Sequence, residues 1–124
     1  KDIIIFGYSI GTGPAAMLAA NNNPKELVLK APYFDLADIM FKNIPFVPTF
    51  LLKYQFPTAS FIRNTKVPIT IFHGDQDDVI YYGSSLKLKQ FFKRGDRLIT
   101  LQGAGHAGMN SNLEYQKQLK HILE

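Results

Sequence analysis

Ile3-Ile4-Ile5-Phe6-Gly7-Tyr8-Ser9-Ile10-Gly11-Thr12-Gly13-Pro14-Ala15-Ala16 is the stretch on which the reading of this chain turns. A short, continuous, mostly β-branched apolar run stops at a glycine. So compact a run is expected of a strand buried on both faces, at the centre of a parallel sheet. Residues 11–20 then read as a helix whose small side chains permit close approach to that sheet, ended by Asn21-Asn22-Asn23-Pro24. Between the two lies Gly7-Tyr8-Ser9-Ile10-Gly11, a G-x-S-x-G pentapeptide in the strand–turn–helix context of a nucleophile elbow. A turn that tight strains the serine and lifts its hydroxyl above the sheet. Glycine is expected at Gly7 and Gly11 because a Cβ would collide across the turn. The N–H of Ile10, at the start of the helix, would face a developing oxyanion.

Further along the chain, Leu27-Val28-Leu29 reads as a second strand closed by Pro32, and residues 67–72 as a third, ending at His73-Gly74. Residues 84–94 read as a helix with Leu88, Phe91 and Phe92 on one face and Gly95 as its left-handed stop. Residues 97–101 form a fourth strand. Ser111 and Glu114 read as a capping box opening a last helix. Residues 38–56 are dense in apolar side chains, but Pro45 and Pro48 break any period, so short helices and turns are expected there. The order β-α-β-insert-β-α-β-α implies an α/β fold: a mostly parallel sheet with helices on both faces and catalytic groups at the carboxyl ends of its strands.

Two of those ends carry further chemistry. His73-Gly74-Asp75-Gln76-Asp77-Asp78-Val79-Ile80 crowds three acids into one loop, either as a hydrophilic turn or to supply a carboxylate that orients a histidine. Gly103-Ala104-Gly105-His106-Ala107-Gly108 places a histidine among glycines, with little helix or core to belong to. His121 reads as structural or exposed, and His73 as fixing its turn through a backbone bond. Ser9, then an aspartate, then His106 is the chain order of a Ser-Asp-His hydrolase. Gly11-Thr12-Gly13-Pro14-Ala15-Ala16 also fits the G-x-G-x-x-A dinucleotide fingerprint, with Asp35 downstream. But Gly7-Tyr8-Ser9-Ile10 separates it from the strand, and Pro14 suits the first turn of a helix. A non-catalytic binding module on the same fold is the other alternative, and a fluorophosphonate probe separates it from an enzyme.

The 124 residues suit one domain, and 46% hydrophobic against 19% charged residues is a globular balance. With no cysteine, disulfides, a cysteine nucleophile and thiolate metal sites are excluded. The net charge of +4 is densest at Lys87, Lys89, Lys93, Arg94 and Arg97. That stretch reads as a solvated helix face and its exit turn, and no nucleic-acid motif accompanies it. No run approaches the roughly 18 apolar residues of a membrane span. Because a buried-looking strand starts at once after Lys1, the chain is expected to be a piece of a longer protein. Its compartment stays open between cytoplasmic and membrane-peripheral.

The elbow at residues 7–11, Leu27-Val28-Leu29 with Ala31-Pro32-Tyr33, residues 68–80 and residues 103–106 together resemble the C-terminal half of an α/β-hydrolase. The resemblance is to the serine-aminopeptidase-like and abhydrolase-domain group, mostly esterases, lipases and thioesterases with some peptidases. In that family's H-G-x-x-D-x-V/I pattern the acid is the fifth position, here Asp77. Asp75 and Asp78 become solvated neighbours, with Asp78 the fallback acid. The resemblance implies Ser9 as nucleophile, Asp77 as acid, His106 as base and the Ile10 N–H as one oxyanion donor. The second donor lies outside the chain. It further implies a small-molecule acyl substrate, lipid-like in one reading, and no metal or cofactor. Relatives carry a lid where residues 38–56 fall, so that insert either completes a core or covers a sheet face, or it presents Phe46 and Phe50 to substrate; Tyr8 is also expected to contact substrate. The earlier strands of the fold are missing, so one sheet edge and part of both faces should be exposed, and the chain alone should be inactive.

Overall fold

A computed structural model describes residues 3–35, 38 and 57–124. Strands β1 (Ile4–Tyr8), β2 (Glu26–Lys30), β3 (Ile69–Gly74) and β4 (Arg97–Leu101) form a parallel sheet in the order β1-β2-β3-β4. Among the described residues, helices α1 (Thr12–Asn21), α2 (Thr58–Asn64), α3 (Gly83–Lys89) and α4 (Leu113–Leu123) accompany it. Strand residues alternate between faces. Leu27, Leu29, Ile69 and Ile71 pack with Ala15, Ala16 and Ala19 of α1, Ala59 and Ile62 of α2 and Leu88 of α3. Val28 and Phe72 face the other way, against Met109 and against Tyr115 and Ile122 of α4. The interior strands β2 and β3, covered on both sides, are the continuous apolar runs such burial demands. Parallel register sets Tyr8 beside Lys30, Lys30 beside Phe72 and Gly74 beside Leu101, which aligns the carboxyl ends along one rim.

Several expectations need correction. The first strand runs on through Gly7 to Tyr8 and, among the described residues, is an edge strand rather than a central one. Ile3, Phe6, Met17 and Leu18 are exposed there, in line with the expected open sheet edge. Helix α3 ends at Lys89, not at residue 94. Phe91 and Phe92 still pack near Leu88, because Phe91 N–H donates to Leu88 O and Phe92 N–H to Lys89 O, continuing the coil as tighter turns. Gly95 has φ +97°, the expected left-handed stop. The cap of α4 is Asn112, whose Oδ1 accepts from Tyr115 N–H at 3.0 Å. Ser111 belongs to a preceding 3₁₀ turn, and Glu114 accepts from Gln118 instead of reaching back. Asparagine caps at least as well as serine, and here it stands one residue closer to the helix. Helix α2 had no counterpart in the sequence reading. The insert at residues 38–56, and with it Phe46 and Phe50, lies outside the described residues apart from Asp38.

Part of the basic stretch is tied into the fold. Lys87 Nζ donates to Asp38 at 2.7 Å, Lys93 Nζ to Asp96 at 2.9 Å, and Arg97 Nε to Thr70 Oγ1 at 3.2 Å.

Candidate functional site

The turn after β1 is built around two close constraints. Ser9 has φ +54°, a left-handed conformation that costs a non-glycine residue about 1–2 kcal/mol. A Cβ on Gly7 would stand 2.6 Å from Ala15 Cβ and 3.0 Å from Gly11 O, so only glycine lets α1 approach β1 this closely. Gly11 differs: a Cβ there would meet nothing within 4 Å, so the expected collision at that end of the pentapeptide does not occur. The turn is clamped from both sides. Thr12 Oγ1 donates to Ser9 O at 2.6 Å. The fully buried Tyr33 hydroxyl donates to Ile10 O at 3.1 Å and is also bonded to the Gly13 backbone. Burial pushes the Tyr33 phenol up to about 12, so it remains a donor. Ile10 itself is exposed on the rim.

The loops after β3 and β4 are stitched together. Asp75 N–H donates to Leu101 O at 3.3 Å, Gln76 N–H to Ala104 O at 3.1 Å, and Gly103 N–H to Asp75 Oδ1 at 2.8 Å. A left-handed Gly103, φ +75°, turns the second loop back toward the first. This pairing brings His106 Nδ1 to 2.8 Å from Asp77 Oδ2. Asp77 is 8% exposed, and both its oxygens are occupied. Oδ1 accepts from the N–H groups of Val79 and Ile80 at 2.9 Å each, while Oδ2 meets His106 and, at 3.2 Å, His73 Nε2. Burial alone would raise its pKa; bonds from His73, His106, Ile80 and Val79 outweigh that and hold it at about 2. The three acids therefore separate. Asp75 joins the two loops, Asp77 holds His106, and Asp78 is exposed.

Tyr8 packs against the histidine. The two rings stack at 5.3 Å with a 23° interplanar angle, and Tyr8 OH donates to His106 O at 3.2 Å. Lys30, 5% exposed, sets its ammonium 4.4 Å from the Tyr8 ring and 4.8 Å from that of Tyr115, and donates to Asn110 Oδ1. Burial lowers the Lys30 pKa. Tyr8 was expected to touch substrate; the structure sets it against the histidine. Ser9 Oγ makes no hydrogen bond among the described residues, so the elbow and His106 meet through Tyr8. His73 Nε2 lies 2.8 Å from Ile80 O, the expected backbone bond, but it also reaches Asp77, which the sequence did not signal. His121 is exposed on α4. Among the described residues, no group of three or more His, Cys, Asp or Glu could hold a metal, and no helix is long and apolar enough to cross a membrane.

The Asp77 bonds carry a consequence for acid stability. A carboxyl depressed from 3.8 to about 2 on folding stabilises the fold fully above the unfolded value, and this contribution is lost as pH falls through the folded one. Denaturant unfolding between pH 5 and pH 2 is expected to show about 2 kcal/mol of stability lost in the wild type that Asp77→Asn does not lose. Parallel pH curves for the two proteins would refute it.

No family model matches the chain. Among curated proteins, human alpha/beta hydrolase domain-containing protein 17B is 28% identical over 123 residues, covering 99% of this chain and 42% of that protein. Among solved structures, Est1E from Butyrivibrio proteoclasticus superposes with a TM-score of 0.74 at 17% identity, over 99% of this chain and 59% of that one. The esterase domain of a Rhodothermus marinus protein gives 0.73 at 17% identity, over 97% and 57%. The chain thus spans about two fifths of the length of the curated relative and under two thirds of each solved structure.

Proposed function

As this chain belongs to the α/β-hydrolase superfamily and carries a C-terminal part of that fold, we propose that it supplies the nucleophile, acid and base of a serine hydrolase acting on an ester, thioester or related acyl bond. The observation that carries this reading is the His106 Nδ1–Asp77 Oδ2 bond of 2.8 Å, on the same sheet rim as a serine held at positive φ after β1, whose neighbour Tyr8 stacks on His106. With Nδ1 committed to the carboxylate, Nε2 is the nitrogen left to take a proton. Ser9 Oγ attacks the acyl carbonyl as His106 Nε2 accepts its hydrogen. Asp77 keeps the imidazole in that tautomer and balances the imidazolium. The Ile10 N–H, directly after the nucleophile, contributes to the oxyanion site, and a second donor comes from outside this chain. His106 then protonates the leaving group, and water, deprotonated by the same nitrogen, cleaves the acyl-enzyme.

A fluorophosphonate applied to the full-length protein tests this. Ser9 is expected to be labelled, and labelling is expected to vanish in Ser9→Ala. Folded protein that stays unlabelled would favour the non-catalytic binding module, and a Ser9→Ala variant labelled as well as wild type would remove Ser9 as the nucleophile.

A further inference from the structure

We propose that His73 and Ser85 are positioning residues that set Asp77, and through it His106; the catalytic part of this proposal rests on the hydrolase reading above. His73 Nε2 faces two oxygen acceptors at once, Ile80 O at 2.8 Å and Asp77 Oδ2 at 3.2 Å. A ring nitrogen between two acceptors carries a hydrogen. Nδ1 lies 2.6 Å from Ser85 Oγ, and a neutral ring needs a donor there, which the hydroxyl supplies. Ser85 thereby fixes the tautomer in which His73 donates toward Asp77. His73 and Ser85 are fully buried, and the Tyr82 ring meets His73 edge-on at 5.6 Å, so the imidazole has no water to turn toward.

The chain Ser85–His73–Asp77–His106 spans three parts of the fold: α3, the end of β3 with its loop, and the loop after β4. Backbone donors alone would fix only Oδ1, leaving Oδ2 free to swing with His106. A second donor to Oδ2, from His73, gives that oxygen a fixed place for His106 to find. Preorganisation of this kind acts on the chemical step rather than on substrate binding.

In the full-length protein, His73→Leu is expected to lower kcat about 10- to 100-fold with KM within about twofold, the loss of one charge-assisted bond. His73→Gln, whose Nε2 can stand where the imidazole Nε2 stood, is expected to recover most of that loss. Ser85→Ala keeps the ring but frees its tautomer, and is expected to cost a smaller factor. A second readout needs no activity: the downfield NMR signal of the His106 Nδ1 hydrogen should broaden or shift in His73→Leu and return in His73→Gln. If wild type labels with fluorophosphonate while folded His73→Leu matches it in kcat and in that signal, the positioning role is overturned and the hydrolase reading stands. If wild type does not label, the hydrolase reading fails and the NMR signal alone decides whether His73 sets the Asp77–His106 pair. An equal loss in His73→Leu and His73→Gln would assign the effect to packing and also overturn the proposal.

Discussion

Asp77→Asn is expected to lower kcat about 10⁴-fold, the size of loss seen when the triad carboxylate of a serine protease becomes an amide. The reason is a count of donors. Asp77 Oδ1 receives two backbone N–H groups, and Oδ2 receives His106 and His73. An asparagine must turn its NH₂ toward one of these pairs. Facing the backbone, it opposes two N–H groups that cannot move away. Facing the imidazoles, it forces His106 to carry its hydrogen on Nε2, the nitrogen that accepts one from Ser9 in the proposed mechanism. Ser9→Ala and His106→Ala should each cause losses of similar order, and pairwise combinations should add little, since the groups act as a unit. Asp78→Asn, an exposed change, should stay within a few-fold of wild type. Steady-state hydrolysis of a p-nitrophenyl ester by the full-length protein measures all of these; a crippling Asp78→Asn with a mild Asp77→Asn would move the acid to the neighbouring position.

Gly74→Ala should also be damaging, although Gly74 touches no reacting atom. A Cβ there would sit 2.1 Å from Ala104 O and 2.8 Å from Ala104 C, inside any allowed contact. The obstruction is backbone, so the 103–106 loop itself has to give way. That loop is anchored by Gln76 N–H to Ala104 O and by Gly103 N–H to Asp75, and displacing it pulls His106 off Asp77. Overpacking of this severity costs typically 1–3 kcal/mol or more. In the folded fraction kcat is expected to fall at least 100-fold, since misplacement by about 1 Å costs that much. Gly11→Ala is the control: open space surrounds that position, so stability and turnover should change little. A Gly74→Ala protein with wild-type melting temperature and turnover would show that the loop pairing does not matter.

Much of this was legible in the chain because the signals are local. An apolar run ending in G-x-S-x-G before an Ala-rich stretch specifies strand, turn and helix within about fifteen residues, and β4 was read with its observed bounds at 97–101. The order of Ser9, the acids and His106, each after a strand, follows from parallel topology, which collects strand ends on one rim. Where the sequence reading went astray, local signals competed. Ser111 and Asn112 are both good caps, and only the path of the chain into α4 chooses between them. Phe91 and Phe92 keep an apolar face whether the segment is helix or successive turns.

Which acid meets the histidine was not decided by the chemistry of three aspartates in four positions; family resemblance named Asp77. The tertiary structure distinguishes them by what surrounds each: a neighbouring loop N–H for Asp75, four donors in a buried corner for Asp77, and solvent for Asp78. The same holds for the stacking of Tyr8 on His106, the Tyr33 clamp on the elbow and the His73–Ser85 pair. These contacts join residues from 12 to 98 positions apart. By itself the sequence determined the parallel α/β order and the strand ends where chemistry gathers, because periodicity and turn residues act over a few positions. Only the folded sheet decided which side chains share hydrogen bonds there, because register and loop pairing, not composition, bring distant donors to one carboxylate.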